Sequence, residues 1–203
     1  WAVWHGREPF EWYRGAFPRF CSEFGFQSFP EPRTIESLTL PGDRNISSHV
    51  MDFHQRSHIG NSAIVTYMLS WYSLPDGFAD LAWMSQLLHA MAMKYAVEHW
   101  RRQMPRCMGA IYWQLDDTWP AASWASIDYF GRWKALQFVA RRFFAPVMVS
   151  LVEKPDDHSV EVWVSNDLRE TLDARLAITV TDCAGEELKT VHRDVRLTLI
   201  KSA

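Results

Sequence analysis

Apolar side chains recur every three or four positions along several stretches of the chain, which is the spacing of a helix face. This spacing predicts helical regions over residues 43–73 (with loops), 76–104 and 131–144. Pro105 and Pro146 end the last two of them. Short apolar runs predict two strands, over residues 18–26 and 108–114. The order strand, helices, strand, helix is typical of an α/β protein with a parallel sheet covered by helices.

After Pro146 the helical spacing gives way to alternation of apolar and polar residues. The alternating segments cover residues 147–152, 160–164, 172–180 and 191–199, with turn residues between them. This pattern predicts antiparallel strands of a β-sandwich and a domain boundary near residues 146–150. A complete α/β barrel takes about 250 residues and a sandwich about 100. Since the chain has 203 residues, we expect both domains to be incomplete and the chain to be a fragment of a larger protein.

Composition and charge narrow the classes of partner. Hydrophobic residues make up 48% of the chain, and no stretch is apolar enough to cross a membrane. The net charge of −3 gives no reason to expect a nucleic acid or a membrane surface as partner. The 11 tryptophans exceed what a core of this size needs. Most are expected to pack in the core and at its rim, but flat tryptophan rings also line sugar-binding sites.

The cysteines predict neither a disulfide framework nor a metal knuckle, because Cys21, Cys107 and Cys183 are odd in number and widely spaced. Free thiols favour a reducing compartment such as the cytoplasm. No signal peptide is visible, and the chain opens on Trp1 without an initiator methionine, so the localisation is not readable from it.

A histidine-rich stretch is a candidate for metal binding. It contains His49, His54 and His58, with Asp52 among them. We interpret it as the polar face of a helix rather than as a metal site, and we predict no metal and no cofactor.

Glu23 is the leading candidate for chemistry. It is the single carboxylate near the end of an apolar and aromatic segment, predicted to be a buried strand, where glutamate is rare without a partner or a function. Gly25 would let the backbone bend as the strand ends. From the residues alone, Glu23 could be a nucleophile toward an anomeric carbon, a general base, a metal ligand or a structural carboxylate paired with an arginine. Serine hydrolysis is not expected, since Ser22 lacks the G-x-S-x-G motif.

Three segments of the sequence resemble those of a known family. Residues 17–30, FPRFCSEFGFQSFP, resemble the nucleophile segment of the β-mannosidases of glycoside hydrolase family 2. Residues 108–120, MGAIYWQLDDTWP, resemble that family's eighth barrel strand, and residues 124–136, WASIDYFGRWKAL, are similar to the loop and helix that close the barrel. The resemblance implies the C-terminal portion of a (β/α)8 TIM barrel over residues 1–147. Over residues 148–203 it is looser and implies the start of an incomplete immunoglobulin-like β-sandwich.

The resemblance also implies an activity. Such enzymes hydrolyse terminal non-reducing β-D-mannose residues by retaining double displacement, with two carboxylates about 5–5.5 Å apart. Glu23 matches the family's nucleophile position, and Trp113 would form the floor of the mannose subsite. Trp4 and His5, in a segment similar to the end of the family's sixth strand, and Asp117 are further candidates for contact with the β-mannoside substrate. For Trp113, packing at the bottom of the barrel is the alternative.

The chain also departs from the family pattern. The family's acid/base glutamate, and the tyrosine that steadies the nucleophile, would lie upstream of Trp1, so we predict that the 203-residue piece alone is inactive. The family often has asparagine where Asp116 stands. Three alternatives remain open: another family 2 specificity such as β-galactosidase or β-glucuronidase, a non-catalytic carbohydrate-binding relative, or a purely structural Glu23.

Overall fold

Parallel strand pairing is present in the computed structural model, which describes residues 1–198 and 201–202. Strand β1 spans Cys21–Phe24 and strand β2 spans Ala110–Tyr112, and the two pair in parallel. Backbone hydrogen bonds extend the pairing at both ends, from Met108 N to Arg19 O (3.0 Å) and from Trp113 N to Phe24 O (2.8 Å). Because the strands run in the same direction, the residues at their carboxyl ends lie side by side.

The described residues also form five α-helices. They are α1 (Pro32–Leu38), α2 (His49–Phe53), α3 (Gly60–Trp71), α4 (Phe78–Arg102) and α5 (Ala135–Phe143). The predicted helix over 76–104 is confirmed to within two residues at each end. Helix α5 begins four residues later than predicted because Gly131 has a φ of +78°, a left-handed conformation that a helix does not contain. No helix in the described part of the chain is both long enough and apolar enough to cross a membrane.

Aromatic rings form much of the core around the two strands. Phe26 lies in the centre, edge-on to Trp4 (4.9 Å between ring centroids), to Phe10 (5.4 Å) and to Tyr67 (4.9 Å). The Tyr67 hydroxyl lies 2.6 Å from the Glu8 carbonyl oxygen and also contacts the carbonyl of Val3. Burial raises the pKa of Tyr67 to about 12, so the hydroxyl is a hydrogen-bond donor at any working pH.

The chain separates into two compact units. The first contains Trp1–Trp100 and Arg106–Phe144, and the second contains Arg101–Pro105 together with the described residues from Ala145 onward. In the second unit, Arg101 at the end of α4 pairs with Asp167 (3.0 Å) and donates to the Ala145 carbonyl (2.8 Å). The second unit is therefore assembled from two separate parts of the sequence.

Antiparallel strands make up the second unit, as the alternation predicts. Strands β3 (Val147–Lys154), β4 (Ser159–Asn166) and β7 (Lys201–Ser202) form one sheet in that order, and β5 (Leu172–Thr181) and β6 (Glu187–Leu197) form a hairpin. The hairpin turn uses Asp182, whose side chain accepts from the backbone N of Ala184 and Glu186, and Gly185 with a φ of +91°. Residue 199 of the predicted last strand lies outside the described residues.

Candidate active site

Glu23 lies one residue before the end of β1, and its side chain is exposed. The prediction that this strand is buried is wrong for Ser22 and Glu23, because β1 and β2 form a sheet of only two strands in the described chain. The carboxylate does have a protein partner. The indole Nε1 of Trp1 donates to Oε1 of Glu23 at 2.7 Å, a short distance that is typical of a hydrogen bond to a charged acceptor.

Gly25 lets three tryptophans approach the strand end that carries Glu23. A Cβ atom at position 25 would lie 2.3 Å from the carbonyl oxygen of Trp113 and 3.1 Å from the rings of Trp1 and Trp124. The Trp1 and Trp124 rings meet edge-on, with centroids 6.1 Å apart. A side chain at this position would therefore push the backbone away from Trp113.

Trp113 follows the last residue of β2 and lies beside the end of β1, through the hydrogen bond to Phe24 already described. Its ring is 46% exposed, so one surface is open to a ligand. The structure thus brings Glu23 and Trp113 to the same edge of the sheet, at the carboxyl ends of two adjacent parallel strands. A carboxylate beside an exposed indole ring can attack or orient a sugar that stacks on the ring.

Asp117 is held by protein donors on both of its oxygens. Gln114 Nε2 donates to Oδ1 (3.1 Å) and Ser123 Oγ donates to Oδ2 (2.7 Å). Burial raises the pKa of Asp117, and the positive charge of Lys134 and these hydrogen bonds oppose the rise. Asp117 therefore fixes the loop after β2. Asp116 beside it is exposed.

Lys134 is fully buried, and sequence reasoning did not single it out. Its Nζ donates to the carbonyl oxygens of Ser28 and Ser123, each at 3.3 Å. These two serines also exchange backbone hydrogen bonds with each other (3.0 and 3.1 Å). Burial lowers the pKa of Lys134 to about 8, although Asp117 and Asp128 act in the opposite direction. Lys134 therefore ties the segment that follows β1 to the segment that follows β2.

The structure does not bring Trp4 into the site. Its ring has no exposed surface and packs edge-on against Phe26 and Trp124 (6.1 Å), so no part of it is open to a sugar. His5 is exposed, and its ring lies 5.1 Å from that of Trp1. Partial burial and nearby positive charges lower the pKa of His5, so it is mainly neutral at pH 7.

The interpretation of the histidine-rich stretch as the polar face of a helix is wrong for His54 and His58, because helix α2 ends at Phe53. His54 stacks on Trp119, with centroids 4.7 Å apart, and its Nδ1 lies 2.6 Å from the carbonyl oxygen of Pro120. Among residues 1–198 and 201–202, no group of three or more histidine, cysteine, aspartate or glutamate side chains could hold a metal ion.

Comparison with known proteins gives a consistent set of relatives, although no family model matches the chain. β-Mannosidase B of Aspergillus terreus is 33% identical in an alignment that covers 83% of this chain and 22% of that protein. β-Mannosidase B of Aspergillus clavatus is 31% identical over 97% of this chain and 26% of that protein. The crystal structure of β-D-mannosidase from Dictyoglomus thermophilum matches all of this chain with a TM-score of 0.86 and 27% identity. The predicted resemblance to the β-mannosidases is confirmed over most of the chain.

The chain spans about a quarter of the length of the relatives that it matches, 22% and 26% of the two named above. An exo-chitosanase from Amycolatopsis orientalis shares the fold, with a TM-score of 0.80 at 15% identity. The fold therefore occurs with more than one sugar specificity.

Two residues of the site in this β-mannosidase relative escaped the sequence analysis, Trp1 and Lys134. Trp1 belongs to the segment WAVW, which also contains Trp4 three residues later. The two tryptophans have similar sequence neighbours, so the sequence does not distinguish their roles. Only the fold shows that Trp4 faces the core while Trp1 reaches Glu23. The sequence signal for Lys134 was its place within an otherwise apolar and aromatic word, WKAL, where a buried charge calls for a partner.

Proposed function

We propose that the protein carrying this chain hydrolyses terminal non-reducing β-D-mannose residues of β-mannosides by retaining double displacement, with Glu23 as the nucleophile. The observation that carries the proposal is the position of Glu23 beside the exposed Trp113, at the carboxyl ends of two paired parallel strands. Functional residues collect at this end of the strands in α/β barrels. The similarity to β-mannosidases supports mannose as the sugar.

The chemistry assigned to Glu23 proceeds in two steps. The carboxylate attacks the anomeric carbon as the bond to the leaving oxygen breaks, and a carboxylic acid protonates that oxygen. The same acid residue, now a carboxylate, takes a proton from water, and the water oxygen displaces Glu23 from the glycosyl-enzyme. The exposed ring of Trp113 would stack on the apolar face of the mannose and keep water from the developing positive charge.

The acid/base is assigned to a carboxylate outside these 203 residues. Asp117 suits the role poorly because both of its oxygens already accept hydrogen bonds from Gln114 and Ser123. We therefore expect the 203-residue chain on its own to have no glycosidase activity, and turnover of an aryl β-mannoside by it would contradict this.

The fold assignment belongs to the same proposal. Residues 1–147 are assigned to the C-terminal part of a TIM-barrel catalytic domain, which is supported by the parallel pair β1–β2 with helices between its strands. Residues 148–203 are assigned to the start of an immunoglobulin-like β-sandwich, which is supported by the antiparallel pairing of β3 with β4 and of β5 with β6. His5 and Asp117 remain candidates for substrate contact.

Covalent labelling of the complete protein tests the nucleophile and the sugar together. A fluorinated mannosyl inactivator should leave a mannosyl adduct on Glu23, located by mass spectrometry of the digested protein. Glu23→Gln should fold normally by circular dichroism, take no label and lose turnover by at least about a thousandfold. Matching galactosyl and glucuronyl reagents test the other specificities. An active wild-type enzyme that is labelled elsewhere, or a Glu23→Gln variant with normal turnover, would overturn the assignment.

A further inference from the structure

We propose that Trp1 is a positioning residue for the nucleophile, whose indole N–H holds the Glu23 carboxylate oriented for attack. The inference rests on the proposed function of Glu23 and adds a residue to it. It is carried by the distance of 2.7 Å between Trp1 Nε1 and Glu23 Oε1, across 22 positions of the sequence.

The indole nitrogen is a donor and never an acceptor, so its partner must offer a lone pair. An ionised carboxylate does so on both oxygens, and a hydrogen bond to the charged form favours that form. With Oε1 of Glu23 engaged by Trp1, Oε2 is the oxygen that attacks the anomeric carbon.

The Trp1 ring is held in place from several sides. It meets Trp124 edge-on at 6.1 Å and tilts over the His5 ring at 5.1 Å. The hydrogen-bonded turn from His5 N to Trp1 O (2.9 Å) fixes its backbone, and the missing side chain at Gly25 leaves room for its edge. A donor whose own orientation is fixed by packing can hold a reacting group in the productive geometry.

The size of the effect follows from the kind of hydrogen bond. A bond to a charged acceptor is stronger than a neutral one, but Trp1 is 37% exposed, so water competes for the carboxylate. We expect loss of the N–H to slow formation of the glycosyl-enzyme about 10-fold, which corresponds to about 1.4 kcal/mol. The inactivator concentration that gives half of the maximal labelling rate should stay unchanged, because the N–H contacts Glu23 and not the sugar.

The test compares Trp1→Phe and Trp12→Phe in the complete protein. Both changes remove an indole N–H from a partly exposed ring, but Trp12 lies outside the site, at 42% exposure and edge-on to Tyr13. The rate of labelling by the fluorinated mannosyl inactivator is measured for each variant as a function of inactivator concentration. Trp1→Phe should label Glu23 about 10-fold more slowly at saturating inactivator, and Trp12→Phe should match the wild type.

Three outcomes would overturn the inference. Unchanged labelling of Trp1→Phe would show that the N–H is unimportant, and slower labelling that comes only from weaker binding of the inactivator would show that the indole acts on the sugar and not on Glu23. If Trp1→Phe fails to fold, 3-benzothienylalanine at position 1 keeps the bicyclic ring without the N–H, and wild-type labelling of that variant would overturn it. Absence of label on Glu23 in the wild type is a separate result, since it refutes the proposed function and this inference with it.

Discussion

The buried Lys134 should make the stability of the protein rise with pH in the alkaline range. Its pKa is about 8 in the folded chain and 10.5 in the unfolded one, so burying the charge costs the folded state about 3 kcal/mol at pH 7. Below pH 8 the lysine is protonated in both states and this cost is constant. Between pH 8 and 10.5 the unfolded chain binds more protons, so the free energy of unfolding rises by about 1.4 kcal/mol per pH unit.

Replacing Lys134 with methionine keeps the length of the side chain and removes the titration. The carbonyls of Ser28 and Ser123 keep the backbone hydrogen bonds that they exchange, so they do not become unpaired. The other titratable groups that act on or are affected by Lys134 are the acids Asp117, Asp128 and Glu31, together with His89. His89 stays neutral above pH 7 because burial lowers its pKa well below 6.5.

Urea unfolding of the complete protein between pH 7 and 10.5, followed by tryptophan fluorescence, measures the effect. The free energy of unfolding of the wild type, minus that of Lys134→Met, should increase by about 3 kcal/mol across this range. Lys94→Met is the matched control. Lys94 is a partly exposed lysine of helix α4, and its Nζ lies 3.8 Å from Oε2 of Glu98 on that helix. Parallel pH curves for the wild type and Lys134→Met would refute the reasoning.

Two further substitutions test the packing around the site. Gly25→Ala should destabilise the protein by about 1–3 kcal/mol and slow inactivator labelling, because its Cβ would overlap the Trp113 carbonyl oxygen at 2.3 Å. Gly15→Ala, with nothing within 4 Å of the new Cβ, is its control, and equal melting temperatures for the two variants would contradict the prediction. Tyr67→Phe should cost about 1–2 kcal/mol in urea unfolding because it removes the donor to the buried Val3 carbonyl, and wild-type stability would count against that role.

The sequence predicted those parts of the fold that depend on local repetition. Helix α4 and the hairpin of β5 and β6 follow from periods of three to four and of two residues, which a single sequence displays directly. The late start of α5 was not predicted, because it depends on the left-handed Gly131 and on Asp128 Oδ1, which accepts from the backbone N of Phe130 and Arg132.

The candidate site residues show the same difference between local sequence signals and contacts that form only on folding. Glu23 was singled out as a candidate because a carboxylate in an aromatic strand is locally unusual. Trp1 and Lys134 were missed because their partners lie far along the chain: Lys134 reaches Ser28 across 106 positions. Trp4 was assigned to the site since nothing local tells an inward ring from an outward one, and its burial is a product of tertiary packing.

Because the second unit is built from two separate parts of the sequence, it limits where the gene can be truncated for expression. Arg101 and Arg102 end helix α4, yet their hydrogen bonds run to Ala145 and Ser150, and Arg101 pairs with Asp167. A clone that stops at residue 144 would deprive two largely buried guanidinium groups of these acceptors, and one that starts at 145 would remove the guanidinium groups themselves. Domain-by-domain expression at this boundary is therefore a poor route to soluble material, and both coding segments belong in one open reading frame.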